Sequence, residues 1–367
     1  MQPLFRILAG SREITAAVRD RLLELVLTDE AGTQSDELKL TLDDRRRENG
    51  AIAELPQVGT VLTVSIGYAQ TRLVAMGRFI VDEIELNAPA ATLTVSAKAA
   101  DMVGPFRSPK TRSWDETTLG ALVQAIAGEH GYQDKIDPEL GALAIPHLDQ
   151  TAESDMALLT RLAAKHDAVA KPVAGFLVLA KQGAAKTIAG QLLPTVWLHA
   201  SDLTQWRYKH SARKPAGAGT TTGDTAQAPP KPSGGGVRAY WWDMEAGEQR
   251  SVSVGSEPFE DIRYVHATEA EAKAAATTRK QSGERSQGEL SFGLPGDTRL
   301  SAEGKLMLFV RPGVPAEWRI KRVVHRISTQ GFTTQVDCER ANAPAAPAAS
   351  PASNPASNPA QGPAAAS

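Results

Sequence analysis

Three pairs of acidic residues are the side chains of this 367-residue chain that could carry hydrolytic chemistry. They are Asp43–Asp44, Glu83 with Glu85, and Asp115–Glu116. A glycoside hydrolase uses two carboxyl groups about 5–10 Å apart across a cleft, one of them as an acid. A sequence alone does not set that distance, so a peptidoglycan hydrolase stays open as an alternative function.

Each acidic pair also has a structural interpretation. The first pair precedes Arg45–Arg46–Arg47, which suits charge pairing in a loop, and Glu83 and Glu85 alternate with apolar residues as on the outer face of a strand. The third pair lies in a predicted capping box, Ser113–Glu116, where acidic residues favour the helix dipole. We therefore predict that the protein is not an enzyme and has no catalytic residues.

The other reactive side chains predict neither a metal site nor nucleophilic catalysis. Cys338 is the single cysteine, which is typical of a small buried strand residue, and no Gly-x-Ser-x-Gly sequence occurs. No HExxH motif is present, and no histidine lies at metal-ligand spacing from another histidine or from the cysteine. The seven histidines are His130, His147, His166, His199, His210, His266 and His325.

Two glycine-containing stretches fall short of nucleotide-binding motifs. Gly183-Ala-Ala-Lys186-Thr187 lacks the glycines of a phosphate loop and is interpreted as a turn into an edge strand. Gly217-Ala-Gly219 lacks the strand-to-helix setting that a dinucleotide-binding fold requires. We expect no cofactor, no metal ion and no small-molecule substrate.

Two aromatic segments could contact a partner. Trp206–His210 is a basic-aromatic strand followed by Arg213 and Lys214, and Tyr240–Trp242 is a second cluster. Aromatic residues and arginine are enriched at interface hot spots, but aromatic residues also fill barrel cores, and core packing is the favoured interpretation. Specific nucleic-acid binding is not expected because the positive cluster is short. Partner-binding residues stay unassigned.

The composition is that of an ordinary globular protein, with 42% hydrophobic and 22% charged residues. A formal charge of −2 gives no general attraction to nucleic acid or to anionic lipid. No apolar run reaches the roughly 18 residues that a transmembrane helix needs. The first ten residues, MQPLFRILAG, do not follow a signal-peptide pattern, so synthesis and assembly in a cytoplasm are expected.

Hydrophobic patterning divides the chain into two β regions and a helical insert. Residues 1–105 are predicted to form a first β-barrel, with alternation such as Leu62, Val64 and Ile66. Asn87-Ala-Pro89 predicts a turn between Phe79–Leu86 and Thr92–Ala97. The other strand candidates are Leu22–Thr28, Asp36–Leu42, Val58–Tyr68 and Arg72–Leu86.

Residues 106–199 are predicted to form a small α/β insert. After the capping box, Leu119, Leu122, Val123 and Ile126 recur at helical spacing, and Gly131 ends that helix. A second helix is predicted over about Ser154–His166, followed by strands Ala168–Val173 and Phe176–Ala180 that turn at Gly175.

Residues 200–340 are predicted to form a second β-barrel, completed by the strands of residues 288–340. Within it we expect a strand at Gln205–Lys209, a mobile loop at residues 215–236, a hairpin at residues 237–254 and a helix at about residues 268–286 on the outside of the barrel. Residues 341–367 contain only Ala, Pro, Ser, Asn, Gln and Gly, so they are predicted to be a disordered tail. We find no short-period repeat, although two similar barrels need not share a detectable sequence.

Three motifs in this order resemble the late control protein D family, the tail hub proteins of contractile-tailed phages and phage-tail-like bacteriocins. Gln150-Thr-Ala-Glu153-Ser154-Asp155 with Leu158, Leu159, Arg161, Leu162 and Ala163 resembles the family's Q-x-x-E-S-D helix start. Thr118-Leu119-Gly120 through Gly131 resembles the preceding helix, and Gly296-Asp-Thr-Arg-Leu300 with Gly304 resembles a late-barrel turn. The resemblance covers residues 3 to 340. His166–Asp167 departs from it, because an aromatic residue and a glycine are expected there.

The resemblance implies an α+β, mainly β fold with two tube-like antiparallel β-barrel domains, the α/β insert between them and a disordered C-terminal tail. It implies a non-enzymatic homotrimer in the baseplate of a virion or phage-tail-like particle, assembled in the bacterial cytoplasm. Two barrels per chain would give six similar units that match a sixfold tail tube, while the trimer matches a threefold central spike. The implied partners are the central spike protein, the tail tube protein, the baseplate wedge proteins and, as a further candidate, the tape-measure protein.

One more alternative is the hub part of a secretion-system spike. Such proteins continue into a long β-helical needle, whereas this sequence ends in the Pro/Ala/Ser tail, which favours a separate spike polypeptide.

Overall fold

The computed structural model describes residues 2–32, 34–46, 53–99, 106, 108–173, 176–182, 194–210, 235–285 and 287–341. The predicted fold class, α+β and mainly β, is confirmed. Most of the predicted loop at residues 215–236 and all but the first residue of the predicted tail lie outside the described residues. No helix in the described part is long and apolar enough to cross a membrane.

The first β region contains seven strands and one short helix. Its strands pair in the order β3-β4-β7-β6-β5-β1-β2, and alternate residues such as Ile7, Leu25, Leu38, Val64 and Phe79 fill one core. The predicted strands and the hairpin through Asn87-Ala-Pro89 are confirmed. The elements are β1 (Pro3–Ala9), β2 (Arg12–Glu13), α1 (Thr15–Arg19), β3 (Leu22–Glu30), β4 (Glu37–Asp43), β5 (Val61–Tyr68), β6 (Val74–Asn87) and β7 (Thr92–Ala99).

The insert has its own core between its helices and its small sheets, with Leu122, Ile126, Leu158, Leu159 and Leu177 among the buried residues. A two-stranded ribbon, β8 with β10, and a three-stranded sheet, β11-β12-β9, flank the helices. The elements are β8 (Pro109–Thr118), α2 (Leu119–Glu129), β9 (Gln133–Ile136), α3 (Pro138–Gly141), β10 (Ala144–Ser154), α4 (Asp155–Lys165), β11 (Ala168–Val173) and β12 (Phe176–Lys181).

The predicted capping box at Ser113–Glu116 is wrong. Those residues lie within β8, where the Ser113 hydroxyl donates a 2.6 Å hydrogen bond to Asp149 of the paired strand. The helix begins later, at Thr118, whose Oγ1 accepts the N–H of Ala121 at 3.2 Å. Pairing with the distant strand β10 therefore outweighs the local capping signal.

The chain then enters the second β region, leaves it for a small module and returns. The first two strands are β13 (Val196–His199) and β14 (Gln205–His210). The module consists of β15 (Gly236–Asp243), β16 (Glu248–Val254), β17 (Phe259–His266) and α5 (Glu269–Arg285). The closing strands are β18 (Gly288–Pro295), β19 (Lys305–Phe309), β20 (Glu317–Ser328) and β21 (Gly331–Arg340).

The predicted hairpin at residues 237–254 and the predicted helix at about residues 268–286 are confirmed, but they belong to a separate module and not to a second barrel. Its strands form a separate sheet, β16-β15-β17, and α5 packs on that sheet through a core of Val237, Ala239, Ala272 and Ala276. Strand Val196–His199, placed in the insert by the sequence, pairs with β19 of the second β region. The core of that region includes Phe292, Leu306, Trp318, Ile320 and Val336.

The two β regions form one 13-stranded sheet through antiparallel pairing of β3 with β20. At this junction Nε of Arg322 lies 2.9 Å from Glu30, and Arg326 forms an ion pair with Glu24. Among the described strands, no pairing closes either region into a complete barrel. In the described residues, the two predicted tube-like β-barrel domains are therefore two open β units, each with its own core, joined edge to edge.

The two β regions share one pairing scheme. Strands β1, β3, β4, β5, β6 and β7 pair with one another in the same order as β13, β14, β18, β19, β20 and β21. The long strands β6 and β20 even carry a bulge at the same place relative to their partners, at Asp82 and at Lys321. One difference is the first pair, since β1 is antiparallel to β5 whereas β13 is parallel to β19. The chain therefore holds the same sheet topology twice.

His325 lies fully buried at the junction, directly opposite Leu27 of β3. Desolvation lowers the pKa of this imidazole from 6.5 to about 4, despite the nearby carboxylate of Asp297 and backbone of Leu300. As the pH falls, the unfolded chain therefore binds this proton before the folded chain does. Stability is lost between pH 6.5 and about 4, by about 3 kcal/mol for a shift of this size.

Asp29 lies beside the same junction and has the opposite effect. Burial and the neighbouring carboxylate of Asp36 raise the pKa of Asp29 from 3.8 to about 6, although it accepts the N–H of Ala302 at 2.8 Å. The folded chain therefore holds this proton more tightly than the unfolded chain. Stability from this group falls as the pH rises between those two values.

We predict that single variants will separate these two opposing pH effects. Relative to the wild type, Asp29→Asn should make the urea denaturation midpoint rise more steeply from pH 4 to 6.5, because the Asp29 effect that opposes the His325 effect is removed. His325→Leu should make the midpoint fall more steeply from pH 4 to 6. Profiles parallel to the wild type in both variants would contradict these pKa directions.

Candidate functional site

One cluster in the insert has the composition of a metal site. Ligand atoms of Glu129, His130 and Asp155 lie within 4.8 Å of one another. Two cations already neutralise them, because Lys110 Nζ lies 2.7 Å from Glu129 and 2.6 Å from Asp155, and Arg112 Nη2 lies 2.8 Å from Asp155. The cluster is therefore an ion-pair network.

Asp155 is the centre of that network and is fully buried. Burial alone would raise its pKa, but hydrogen bonds from Gln150, His130 and Lys110 outweigh burial and lower the pKa to about 2. Gln150 Nε2 donates to the carboxylate at 2.9 Å and to the carbonyl of Glu153 at 2.8 Å. The carboxylate thus ties β8, β10 and the start of α4 together.

The remaining motif residues also have structural roles. Oγ of Ser154 accepts the N–H of Ala157 at 3.2 Å and caps α4, while Glu153 forms a 2.7 Å ion pair with Arg161. Leu158, Leu159 and Leu162 fill the insert core. The Q-x-x-E-S-D pattern is therefore explained by folding of the insert.

The third motif, residues 296–304, is a turn whose residues also have structural roles. The Asp297 carboxylate accepts four hydrogen bonds from Arg299, one from its backbone N–H and three from its guanidinium, the shortest at 2.7 Å, and the N–H of Asp297 donates to Thr334 at 3.0 Å. Leu300 is buried, and the carbonyl of Gly304 accepts the N–H of Ile320 at 2.9 Å. This turn fixes the loop between β18 and β19.

The three acidic pairs lie on separate elements. Hydrogen bonds from Arg45 lower the pKa of Asp43 to about 2, as the loop interpretation predicted. Glu83 and Glu85 are exposed on β6, and Asp115 forms a hydrogen bond with His147 across the β8–β10 ribbon. None of the three pairs lines the cleft of about 620 Å³ between α5 and the insert.

The acidic residues that do line this cleft are paired with cations. Glu139 forms an ion pair with Lys181, and Asp167 accepts a 2.8 Å hydrogen bond from Arg285. Burial lowers the pKa of His166, which also lines the cleft. Among the described residues, the cleft therefore offers no pair of free carboxyl groups.

The aromatic segments are divided between core and surface. Tyr208 packs edge-on against Trp318 at a centroid distance of 5.8 Å, and Trp241 packs on the module core. Trp206 is 39% exposed and Trp242 is 46% exposed. Core packing therefore accounts for Tyr208 and Trp241, whereas Trp206 and Trp242 lie partly on the surface.

Two of the uncovered strand edges in the described part of the sheet lie on β14 and on the second half of β6. β14 is the terminal strand and pairs only with β18, and its residues Arg207 and Lys209 are exposed. β6 pairs with β5 up to Ile80, and its second half, Asp82–Asn87, pairs only with β7. Leu86 in that half is 54% exposed.

The opposite end of the sheet is protected. Strand β2 pairs with Leu8 and Ala9 of β1. The N–H of Ile7 donates to Thr15 Oγ1 at 3.0 Å, and its carbonyl accepts the N–H of Ile14 at 3.0 Å. The sequence predicts that Glu83 and Glu85 lie on the outer face of a strand. It does not predict that this half of β6 has a free edge, because that depends on where β5 ends.

Comparison with known proteins identifies the family. Residues 35–331 match the family described as "Phage tail baseplate hub (GPD)". The chain is 30% identical over 370 residues to the probable baseplate hub protein of Escherichia phage P2, covering 92% of this chain and 93% of that protein. The chain belongs to the phage tail baseplate hub family. The predicted resemblance is confirmed.

Solved structures of tail proteins share the hub fold. The 43 kDa tail protein of prophage MuSo2 from Shewanella oneidensis matches with a TM-score of 0.66 and 15% identity, covering 92% of this chain and 98% of that chain. A tail protein from Neisseria meningitidis MC58 matches with a TM-score of 0.64 and 10% identity, covering 93% and 97%. At these identities the comparison establishes the fold.

We predict that Asp155→Ala will destabilise the insert. The variant leaves Lys110 and Arg112 without their buried anion, which costs on the order of 3 kcal/mol when the cations are partly exposed. Hydrogen exchange should show lost protection in β8, β10 and α4, with the β3–β20 junction unchanged. Asp134→Asn, at an exposed position on β9, is the matched control, and equal protection in both variants would contradict the role of Asp155.

Proposed function

We propose that this hub protein is a homotrimeric symmetry adapter, in which three chains place six similar β regions around one axis. The observation that carries the proposal is the duplicated pairing scheme within each chain. Six similar units fit a sixfold tail tube, while the threefold symmetry of the chains fits a threefold central spike.

The physical basis of this adapter is that a ring of subunits can pair strand edges that would otherwise be exposed. An exposed strand edge invites pairing with other chains, and a ring removes such edges by pairing each unit with the next. Tail tube and spike proteins would contact the two faces of the ring. The insert, with its own core, is available to baseplate wedge proteins, and the tape-measure protein is a further candidate inside the particle.

The role we propose is structural and not enzymatic. Its support is that the acidic side chains of the cleft, Glu139 and Asp167, are engaged by Lys181 and Arg285. The buried cluster around Asp155 is likewise engaged by two cations.

We predict a trimer. Light scattering coupled to size exclusion should give three times the chain mass for the protein alone, or the mass of a complex that contains three copies of this chain once the cognate spike and tube proteins are added. A chain that stays monomeric in every one of these mixtures would overturn the adapter proposal.

The alternative of a peptidoglycan hydrolase has a direct test. Purified protein incubated with peptidoglycan should release no soluble fragments above a buffer control. Steady release that increases with protein concentration would instead support the hydrolase.

A further inference from the structure

The β3–β20 junction inside each chain gives a template for a second junction, between chains. In the β3–β20 junction, the second half of β20 pairs with β3 in antiparallel register, with Val324 opposite Thr28 and His325 opposite Leu27. The first half of β20 pairs with β19 instead. A long strand thus serves two neighbours on one edge, one for each half.

The duplicated topology identifies the counterparts of both strands. The bulges align Lys321 with Asp82, so Val324 and His325 of β20 correspond to Glu85 and Leu86 of β6. The pairings with β4 and with β18 align β3 with β14, so Leu27 corresponds to Tyr208. Both counterparts, β14 and the second half of β6, are uncovered edges of the sheet.

We propose that β14 of one copy pairs in antiparallel register with Asp82–Asn87 of the next copy, repeating the β3–β20 junction between chains. The proposal rests on the trimeric ring of the proposed function. The template places Glu85 opposite Lys209, Leu86 opposite Tyr208 and Ile84 opposite His210. The next copy must supply the partner strand, since β18, β21, β20, β3, β4 and β7 separate β14 from β6 within one sheet.

Charge favours this partner. β14 carries Arg207 and Lys209 on its outer face, and the free half of β6 carries Glu83 and Glu85 on its outer face. Opposite charges directly across two strands are favourable, whereas like charges are unfavourable. The internal junction has the reverse arrangement, with Glu24 and Glu30 on β3 facing Arg326 and Arg322 on β20.

Apolar exposure points to the same contact. Leu86 is 54% exposed, although its counterpart His325, which lies opposite Leu27 of β3, is fully buried. Trp206, which corresponds to the buried Leu25 of β3, is 39% exposed. A strand added at this edge would cover both side chains, as β3 and β20 cover theirs.

Disulfide trapping tests the register. Directly opposite residues in an antiparallel pair have Cβ atoms about 4.5–5.5 Å apart, which is close enough for a disulfide after a small adjustment. Glu85→Cys with Lys209→Cys should give a covalent trimer on oxidation that a reductant returns to monomers. The native Cys338 is buried and should not contribute.

Matched controls restrict the interpretation. Each single cysteine variant, and Lys39→Cys with Lys209→Cys, should stay monomeric on a denaturing gel, because Lys39 lies outward on a strand with neighbours on both sides. A trimer by light scattering with no Glu85–Lys209 cross-link would overturn this contact and leave the proposed adapter standing. A chain that is monomeric in every mixture would overturn both.

Charge exchange tests the electrostatic part. Lys209→Glu should raise the dissociation constant of the ring by about tenfold or more, since each of three contacts then opposes like charges. Combining it with Glu85→Lys should lower the dissociation constant again but not fully, because Lys209 Nζ also lies 3.6 Å from Glu289 on β18, while Lys39→Glu should leave the wild-type value unchanged. Equal association of Lys209→Glu and Lys39→Glu would contradict the contact.

Discussion

Pairing between β3 and β20 is the constraint on which the rest of this structure depends. It runs from Glu24 opposite Ser328 to Glu30 opposite Arg322, and it turns two separately packed β regions into one sheet. Neighbouring strands twist by a limited angle, so this pairing sets the orientation of one region relative to the other. Side chains complete the seam: Asp29 accepts the N–H of Ala302 at 2.8 Å, and Glu303 accepts that of Gly32 at 3.0 Å.

A chain of buried ion pairs attaches the insert and the α5 module to that sheet. Arg285 at the end of α5 has a side chain only 5% exposed and reaches Asp167 of the insert and, at 3.8 Å, Glu339 of β21. Glu339 also binds Arg319, which lies 2.6 Å from Glu303 beside the seam.

Asp167 stands where the family resemblance implies a glycine and has a φ of +50°. Aspartate tolerates that conformation, and here its carboxylate gains an arginine partner. Breaking a buried pair of this kind is costly, so the arrangement favours one placement of the modules.

The sequence predicts the elements that depend on a local residue pattern. It does not predict the features that depend on pairing with strands distant in sequence. Alternation of Leu62, Val64 and Ile66 predicts β5, and the apolar face of residues 154–166 predicts α4. Ser113–Glu116 has the residue types of a helix cap, yet β10 pairs with it and makes it a strand. The Asp155 network is missed for a related reason, since Lys110 and Arg112 lie far from α4 in sequence. The duplicated sheet topology cannot be recognised from the sequence either. Equivalent positions such as Leu86 and His325, or Thr28 and Lys209, share no residue type and only their place in the pairing scheme.

Duplication within one chain creates a problem of specificity that the charges of the four strands address. Two similar seams allow wrong pairings, since β14 has the backbone geometry to compete with β3 for the second half of β20. Arg207 on β14 would then lie directly opposite Arg326 on β20, with Lys209 diagonal to Arg322, and like charges opposite one another are unfavourable. The glutamates of β3 suit β20 instead, and β3 is already tethered in the same chain. Similar backbones therefore give similar units, while the opposite sign of their edge charges decides which edges meet.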